Sequence, residues 1–289
     1  MKTKTISYAK PTAKTFKSNS DVVTISGDGL SHCINSNHSI IYDGKMVPYS
    51  SISEPLNSKK FERSGYANFQ DFPISDDDIR LLTWIVCDGT IVYGESGSTK
   101  NTKCRVQFHL SRQDKINELT LLLSKLGIKY SMAESKKCGV NKLQPYIIRF
   151  YSDKAREVYS ILGKDKVFPK FFTELSSRQA SVVLDTLQKT DASKCNNRIQ
   201  WKTVSKCNLD IITHMCVING FPTSYKVIQG KGFNKKPLYE CTIRLNNILS
   251  KGNKHEVTIS TGTYNVFCYK MPLGTLVVRH KGHTLVTGN

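Results

Sequence analysis

LLTWIVCDGT, residues 81–90, and VVLDTLQKTDAS, residues 182–193, each read as an apolar helix running into an acid, Asp88 in the first and Asp191 in the second. Behind each comes a strand-like run and then a further helical run. RVQFHLSRQDKINELTLLLSKLG lines up with RIQWKTVSKCNLDIITHMCVING, so that Arg105, Gln107, Phe108 and Gly127 fall on Arg198, Gln200, Trp201 and Gly220 at a constant offset of 93. Further on, YIIRF answers YECTIRL and places Arg149 near Arg244. The same order of elements, met twice, makes the middle of the chain a pseudo-dimer of two α/β units.

Outward from these two stretches, helical periodicity recurs in DDDIRLLTWIVC, QDKINELTLLLSKLG, SDKAREVYSILG, SSRQASVVLDTLQK and KCNLDIITHMCVING. Residues 1–60 have another texture: short β-branched runs punctuated by Gly, Asn, Asp and Pro, the pattern of strands and turns. Residues 61–75 read as a connector, 76–165 as repeat 1 and 166–245 as repeat 2. From 246 to 289 the chain returns to strands. The expected fold class is α+β: a β-rich domain made from both chain ends, with the pseudo-twofold α/β domain inserted into it.

Of the 289 residues, 42 are Lys or Arg and 23 are Asp or Glu, a formal charge of +19, while 39% are hydrophobic. That much apolar content excludes a disordered basic tail. A folded and strongly basic chain points to a polyanion, nucleic acid first and a membrane surface second. Nine scattered cysteines with no C-x-x-C suit a reducing compartment and argue against a zinc ribbon or disulfide framework. The first twenty residues have no apolar core of a secretory signal, and no run of about 18 apolar residues is present to span a membrane.

LLTWIVCDGT and VVLDTLQKTDAS resemble the paired motifs of LAGLIDADG homing endonucleases. The resemblance implies that the two helices pack together and that Asp88 and Asp191 meet on the pseudo-twofold axis. There they would hold Mg²⁺ or Mn²⁺, with the backbone carbonyl of Gly89 as a further ligand, and cleave both strands of a DNA duplex as one monomeric chain. Metal between acidic ligands neutralises charge on attacking and leaving oxygens. D-G is also a common turn dipeptide, which is the plain alternative for Asp88-Gly89. In the second motif Ala192 stands where the family has Gly, and a glycine there would permit positive φ. The family places a lysine near each metal. Lys202 is the candidate, His109 its counterpart, and Lys202 could equally touch phosphate or solvent. Strands in the major groove would read bases; the candidates are Lys103, Arg105, Gln107, His109, Arg149, Arg198, Gln200, Lys226, Gln229, Lys231 and Arg244.

The flanks carry a second resemblance. YNVFCYKMPLGTLVVRHKGHTLVTGN, the last 26 residues, is similar to the C-terminal blocks of inteins, phage inteins in particular. It implies that Asn289 cyclises and cuts the following peptide bond. Gly288 precedes it where His is commonest, so Cys268, His280 or His283 is expected to assist. SGDGLSHCINSNHSIIYDG resembles intein block B, with His38 activating the N-terminal junction and Asn35 in the place of a Thr. Few residues precede His38, so a separate N-terminal intein fragment is the expected partner, with a fused C-extein at the other end. The expected setting is the cytoplasm of a bacterium or phage-infected cell. Two alternatives remain: a splicing element with an inactive nuclease, and a LAGLIDADG protein that binds DNA or RNA without cutting.

Overall fold

The computed structural model describes residues 5–27, 30–35, 37–42, 45–51, 60–96, 99–135, 143–151, 153–229, 236–245, 250–251, 258–272 and 275–288. Its elements run in order β1 (Ala13–Gly27), β2 (Leu30–Asn35), β3 (Ser39–Tyr42), β4 (Lys45–Pro48), β5 (Lys60–Phe61), α1 (Asp76–Cys87), β6 (Gly89–Ser96), β7 (Thr99–Leu110) and α2 (Gln113–Lys125). Next come β8 (Tyr130–Glu134), β9 (Tyr146–Tyr151), α3 (Asp153–Leu162), α4 (Ser177–Lys189), β10 (Ser193–Cys195), β11 (Arg198–Thr203) and α5 (Lys206–Ile218). The chain closes with β12 (Thr223–Ile228), β13 (Leu238–Arg244), β14 (Ser250–Lys251), β15 (Thr258–Lys270), β16 (Thr275–His280) and β17 (His283–Gly288). The five helices are those expected from periodicity. Among the described residues no helix is long and apolar enough to cross a membrane.

Two compact units result. The helix-rich unit holds Phe69–Lys194 and Trp201–Met215. Its sheet is antiparallel in the order β6-β7-β9-β8, with Gln107 opposite Arg149 and Val106 opposite Phe150. Alternation sorts the two faces of β7: Cys104, Val106, Phe108 and Leu110 are buried, while Arg105, Gln107 and His109 point to the other side. The buried residues Ile79, Leu81, Trp84, Leu119, Leu123, Val158 and Phe172 supply the core of this unit.

The strand-rich unit holds Met1–Asn68, Cys195–Gln200 and Cys216–Asn289. The first and last segments of the chain pair here: β1 with β15 over most of its length, β5 with β14, and β3 with β17 through Ile40 and Thr287. The small core of this unit is Val23, Ile25, Ile34, Ile40, Phe61 and Leu285. Buried Arg63 donates to the carbonyls of Thr223 (2.9 Å) and Thr284 (3.3 Å) and ties β12 to β17. Strands β12 and β13, expected to belong with repeat 2, group with the chain ends in this unit. Ser224 pairs with His283, and Tyr225 N–H bonds the Gly282 carbonyl at 3.0 Å.

The repeat is visible in the order of elements. Each half runs helix, strand, strand, helix, strand, strand, and the order β10-β11-β13-β12 mirrors β6-β7-β9-β8. Repeat 1 alone continues into a further helix, α3.

Candidate active site

Both motif helices start on a serine. Ser75 accepts a hydrogen bond from Asp78 N–H, and Ser176 accepts one from Gln179 N–H, each satisfying an orphan donor of the first turn. Three aspartates, Asp76, Asp77 and Asp78, crowd the first turn of α1, where the helix dipole favours negative charge. The helices α1 and α4 are in contact, and both bury apolar residues, among them Leu81 and Ile85 in α1 and Ala180 and Leu184 in α4. Each helix buries one threonine five residues before its acid. Thr83 donates to Ile79 O and Thr186 to Val182 O, both at 2.8 Å, so neither hydroxyl is left unsatisfied in an apolar setting.

Cys87 and Thr190, the residues immediately before the acids, hydrogen-bond one another. Burial, then the negative charge of Asp191, pushes the Cys87 thiol up to about 12, so it is a packing residue and not a nucleophile. Asp88 caps α1, its N–H bonded to Trp84 O at 2.9 Å. The Asp88 carboxylate receives Lys115 Nζ at 2.8 Å, in a pair whose side chains are both largely buried. Asp191 is in hydrogen-bond contact with Asp88. Its carboxyl is raised to about 6, first by desolvation and then by the charge of Asp88, although the residue as a whole stays exposed. Lys115 and Lys166 pull the other way. Two carboxylates this close repel unless a proton or cation sits between them, and a divalent cation would relieve that repulsion. Among the described residues no cluster of three or more His, Cys, Asp and Glu closes a metal cage.

Lys166 is the residue that sequence reasoning missed most completely. Its backbone is left-handed, with φ +51. Buried Asn208 of α5 holds that turn from both sides, accepting from Phe168 N–H at 2.8 Å and donating to Lys166 O at 3.1 Å. Lys166 Nζ then donates to the carbonyls of Gly89 (2.5 Å) and Val86 (3.4 Å) at the end of α1. Burial holds its ammonium below the ordinary lysine value. The Gly89 carbonyl, expected to face a metal, is thus taken by an ammonium. Lys202, expected beside the metal, lies exposed on β11. Neither Gly89 nor Ala192 has a positive φ, so the strain expected from Ala192 does not arise. Gly89 is required for space instead: a Cβ there would stand 2.7 Å from Ile85 Cα and 2.8 Å from Ile85 O.

The expected base-reading residues of repeat 1 share one face. Arg105, Gln107 and His109 on β7 stand beside Arg149 on β9, with Gln107 directly opposite Arg149. Among the described residues, the buried Nε atoms of Arg105 and Arg149 have no hydrogen-bond partner. Lys103 has its backbone in β7, and its side chain lies outside the described residues, as does the whole of Lys231. On β11, Arg198 and Gln200 are exposed while Ile199 and Trp201 are buried. Gln229 is exposed, Arg244 half-buried, and Lys226 pairs with Glu240 at 2.9 Å.

The residues of the second resemblance collect in the strand-rich unit. Asn35 Oδ1 accepts from Asn37 N–H at 3.0 Å, and Asn35 O accepts from His38 N–H at 2.9 Å, a turn that presents the His38 ring. That ring lies 3.0 Å from Thr287 Oγ1 and hydrogen-bonds the backbone of Gly288. Burial lowers its pKa. His280 Nδ1 lies 2.9 Å from Ser31 Oγ, and desolvation lowers this imidazole too. His283 begins β17 opposite Ser224, and Cys268 is exposed on β15 opposite Thr15. Asn289 lies outside the described residues. His32, which the sequence reading passed over, is buried near His38 and His280 and lowered to about 3, chiefly by desolvation.

No protein-family model matches the chain, and no curated protein matches it. Solved structures of two homing endonucleases and of a LAGLIDADG domain are similar to part of it. I-DmoI, solved in complex with DNA and Mn, is 16% identical over 59% of this chain and 90% of its own, with a TM-score of 0.43. I-WcaI bound to its DNA recognition sequence is 14% identical over 59% of this chain and 76% of its own, with a TM-score of 0.38. The N-terminal LAGLIDADG domain of DUF199/WhiA is 15% identical over 59% and 76%, with a TM-score of 0.37.

Proposed function

We propose that this chain is a site-specific DNA endonuclease of the LAGLIDADG type, cutting both strands as a single-chain pseudo-dimer. One observation carries the reading: Asp88 and Asp191, delivered by two packed helices, stand in hydrogen-bond contact beside Lys115 and Lys166. Mg²⁺ or Mn²⁺ bound by the two carboxylates would supply charge neutralisation on the reacting phosphate. Lys115 orients the Asp88 carboxylate, and Lys166 fixes the exit of α1 so that Asp88 keeps its direction. Arg105, Gln107, His109 and Arg149 offer a face of donors to the duplex.

The test is selection of cleaved duplexes from a random library with Mg²⁺, followed by Asp88→Asn and Asp191→Asn variants on the selected sequence. Cleavage should fall by at least about a thousandfold while binding is retained. A double variant that still cuts would refute the assignment. Binding without cleavage by the unaltered chain would favour the binding-only alternative.

A second activity, protein splicing by an intein-type Hint domain formed from the chain ends, is favoured by a separate observation. A Cβ at Gly288 would stand 2.5 Å from Ser39 Cβ, so no histidine fits before Asn289, yet the His38 ring already reaches the Gly288 backbone. On this reading His38 takes the part of the missing penultimate histidine. The partner would be an N-terminal intein fragment. Fusing a short C-extein after Asn289 and following its release by mass tests this: release lost in Asn289→Ala and in His38→Ala supports it, and no release from the unaltered chain ends it.

A further inference from the structure

The chain passes into the helix-rich unit at Phe69 and reaches α1 at Asp76. On the way it is caught by the first turn of α4. Gln179 of that turn is fully buried and uses its whole amide on residues 72–74. Its Oε1 accepts from Phe72 N–H at 2.8 Å, and its Nε2 donates to Phe72 O at 2.9 Å and to Ile74 O at 3.3 Å. A carboxamide offers one acceptor oxygen and two N–H donors at a single place, and here the oxygen and both donors are used. Phe72 stacks on Phe171 with ring centres 4.7 Å apart. Ser176, which caps α4, donates to Asp71, and Arg178 reaches both Asp71 (2.9 Å) and Asp76 (2.6 Å). The Arg178 pairs are partly exposed, and such pairs hold little. Breaking the Gln179 bonds would leave buried polar groups unpaired, so Gln179 carries the clasp. From Ser75 to Asp88 the chain advances about 20 Å along α1, so a tilt of about 3° at its start carries the Asp88 carboxylate about 1 Å. An error of that size at a reacting centre costs about a hundredfold in rate.

We propose that Gln179 is a positioning residue for the acid pair: by pinning the entry of α1 to the first turn of α4, it sets how the two motif helices cross and so where Asp88 stands against Asp191. It rests on the reading of these two acids as the cleavage site.

The experiment compares the full chain with Gln179→Met, which fills the same space and makes none of the three bonds. On the selected duplex with Mg²⁺, kcat should fall at least about tenfold while KM stays within about twofold of the parent, since the lost bonds orient the reacting groups and not the DNA. In ¹H–¹⁵N spectra of the metal-free protein, the amide signals of Asp88 and Asp191 should move along with those of residues 71–76. Shifts confined to residues 71–76 and 176–180 in a folded variant overturn the proposal, and so does an unchanged kcat. Gln179→Glu has the same shape and still accepts from Phe72 N–H but loses both donations; it should show the same two effects, and it stands in where Gln179→Met does not fold. Loss of the fold in both variants makes Gln179 a folding residue and overturns the proposal as well. A parent chain that cuts no duplex refutes the endonuclease reading, while displaced Asp88 and Asp191 signals in the variant still uphold the clasp, which keeps the two failures distinct.

Discussion

Gly89 and Asp191 show what a single residue decides. The Cβ of a Gly89→Ala variant would press on backbone atoms of Ile85, which cannot move as a side-chain tip can. Urea melts should show a loss of about 1–3 kcal/mol, while Gly94→Ala, with open space around it, should stay within about 0.5 kcal/mol. Asp191 has its carboxyl raised to about 6, above the usual value of 3.8. The folded state therefore holds this proton more tightly than the unfolded chain, and stability is lost as pH rises through that window. Asp191→Asn should raise the melting temperature at pH 7.5 in metal-free buffer, and the gain should shrink by pH 4.5. A variant stabilised equally at both pH values would show that repulsion from Asp88 is not the cause. Both acids were legible in the sequence because each ends an apolar helical run. Lys115 and Lys166 were not, for they reach the site from 27 and 77 residues away.

At the scale of elements, α5 has a duty beyond its own packing. Its Asn208 holds the turn around Lys166 by two hydrogen bonds, and so holds the ammonium against the end of α1. Asn208→Ala removes both and leaves a buried donor and acceptor unpaired, at a cost of about 1–3 kcal/mol. Hydrogen exchange at Phe168 N–H should quicken, and cleavage by the variant should fall even where the protein remains folded. Unchanged exchange at Phe168 would mean the turn is held by something else. The helices themselves were readable from period alone, and so were the faces of β7 and β11, because alternation sorts buried from exposed. The pairing of Lys226 with Glu240 was not readable, since it depends on the register of β12 against β13.

At the scale of the molecule, the strand-rich unit carries an acid-sensitive core position. His32 is 4% exposed and lowered to about 3, while an unfolded chain would protonate it near 6.5. Its neutral form is the one the fold accepts, so stability is lost as pH falls below 6.5, by about 2 kcal/mol at pH 5. Melting temperature measured from pH 7.5 to 4.5 should fall, and His32→Gln should flatten that slope whatever its absolute stability. An unaltered slope in the variant would assign the acid lability to other groups.

The sequence by itself determined the helices, the repeat, the two acids, the basic character and the return of the strand pattern at the far end. These are local or periodic properties, set by side-chain spacing along a few turns or strands. Only the tertiary structure decided which lysines stand at the acids, why position 89 must be glycine, and which sheet the last two strands of the second repeat join. Strands β12 and β13 complete the second repeat in sequence order yet join the sheet of the chain ends through Ser224 and His283. Strand partners far apart in the chain are chosen by the register and burial of the whole sheet, and no local spacing encodes that choice.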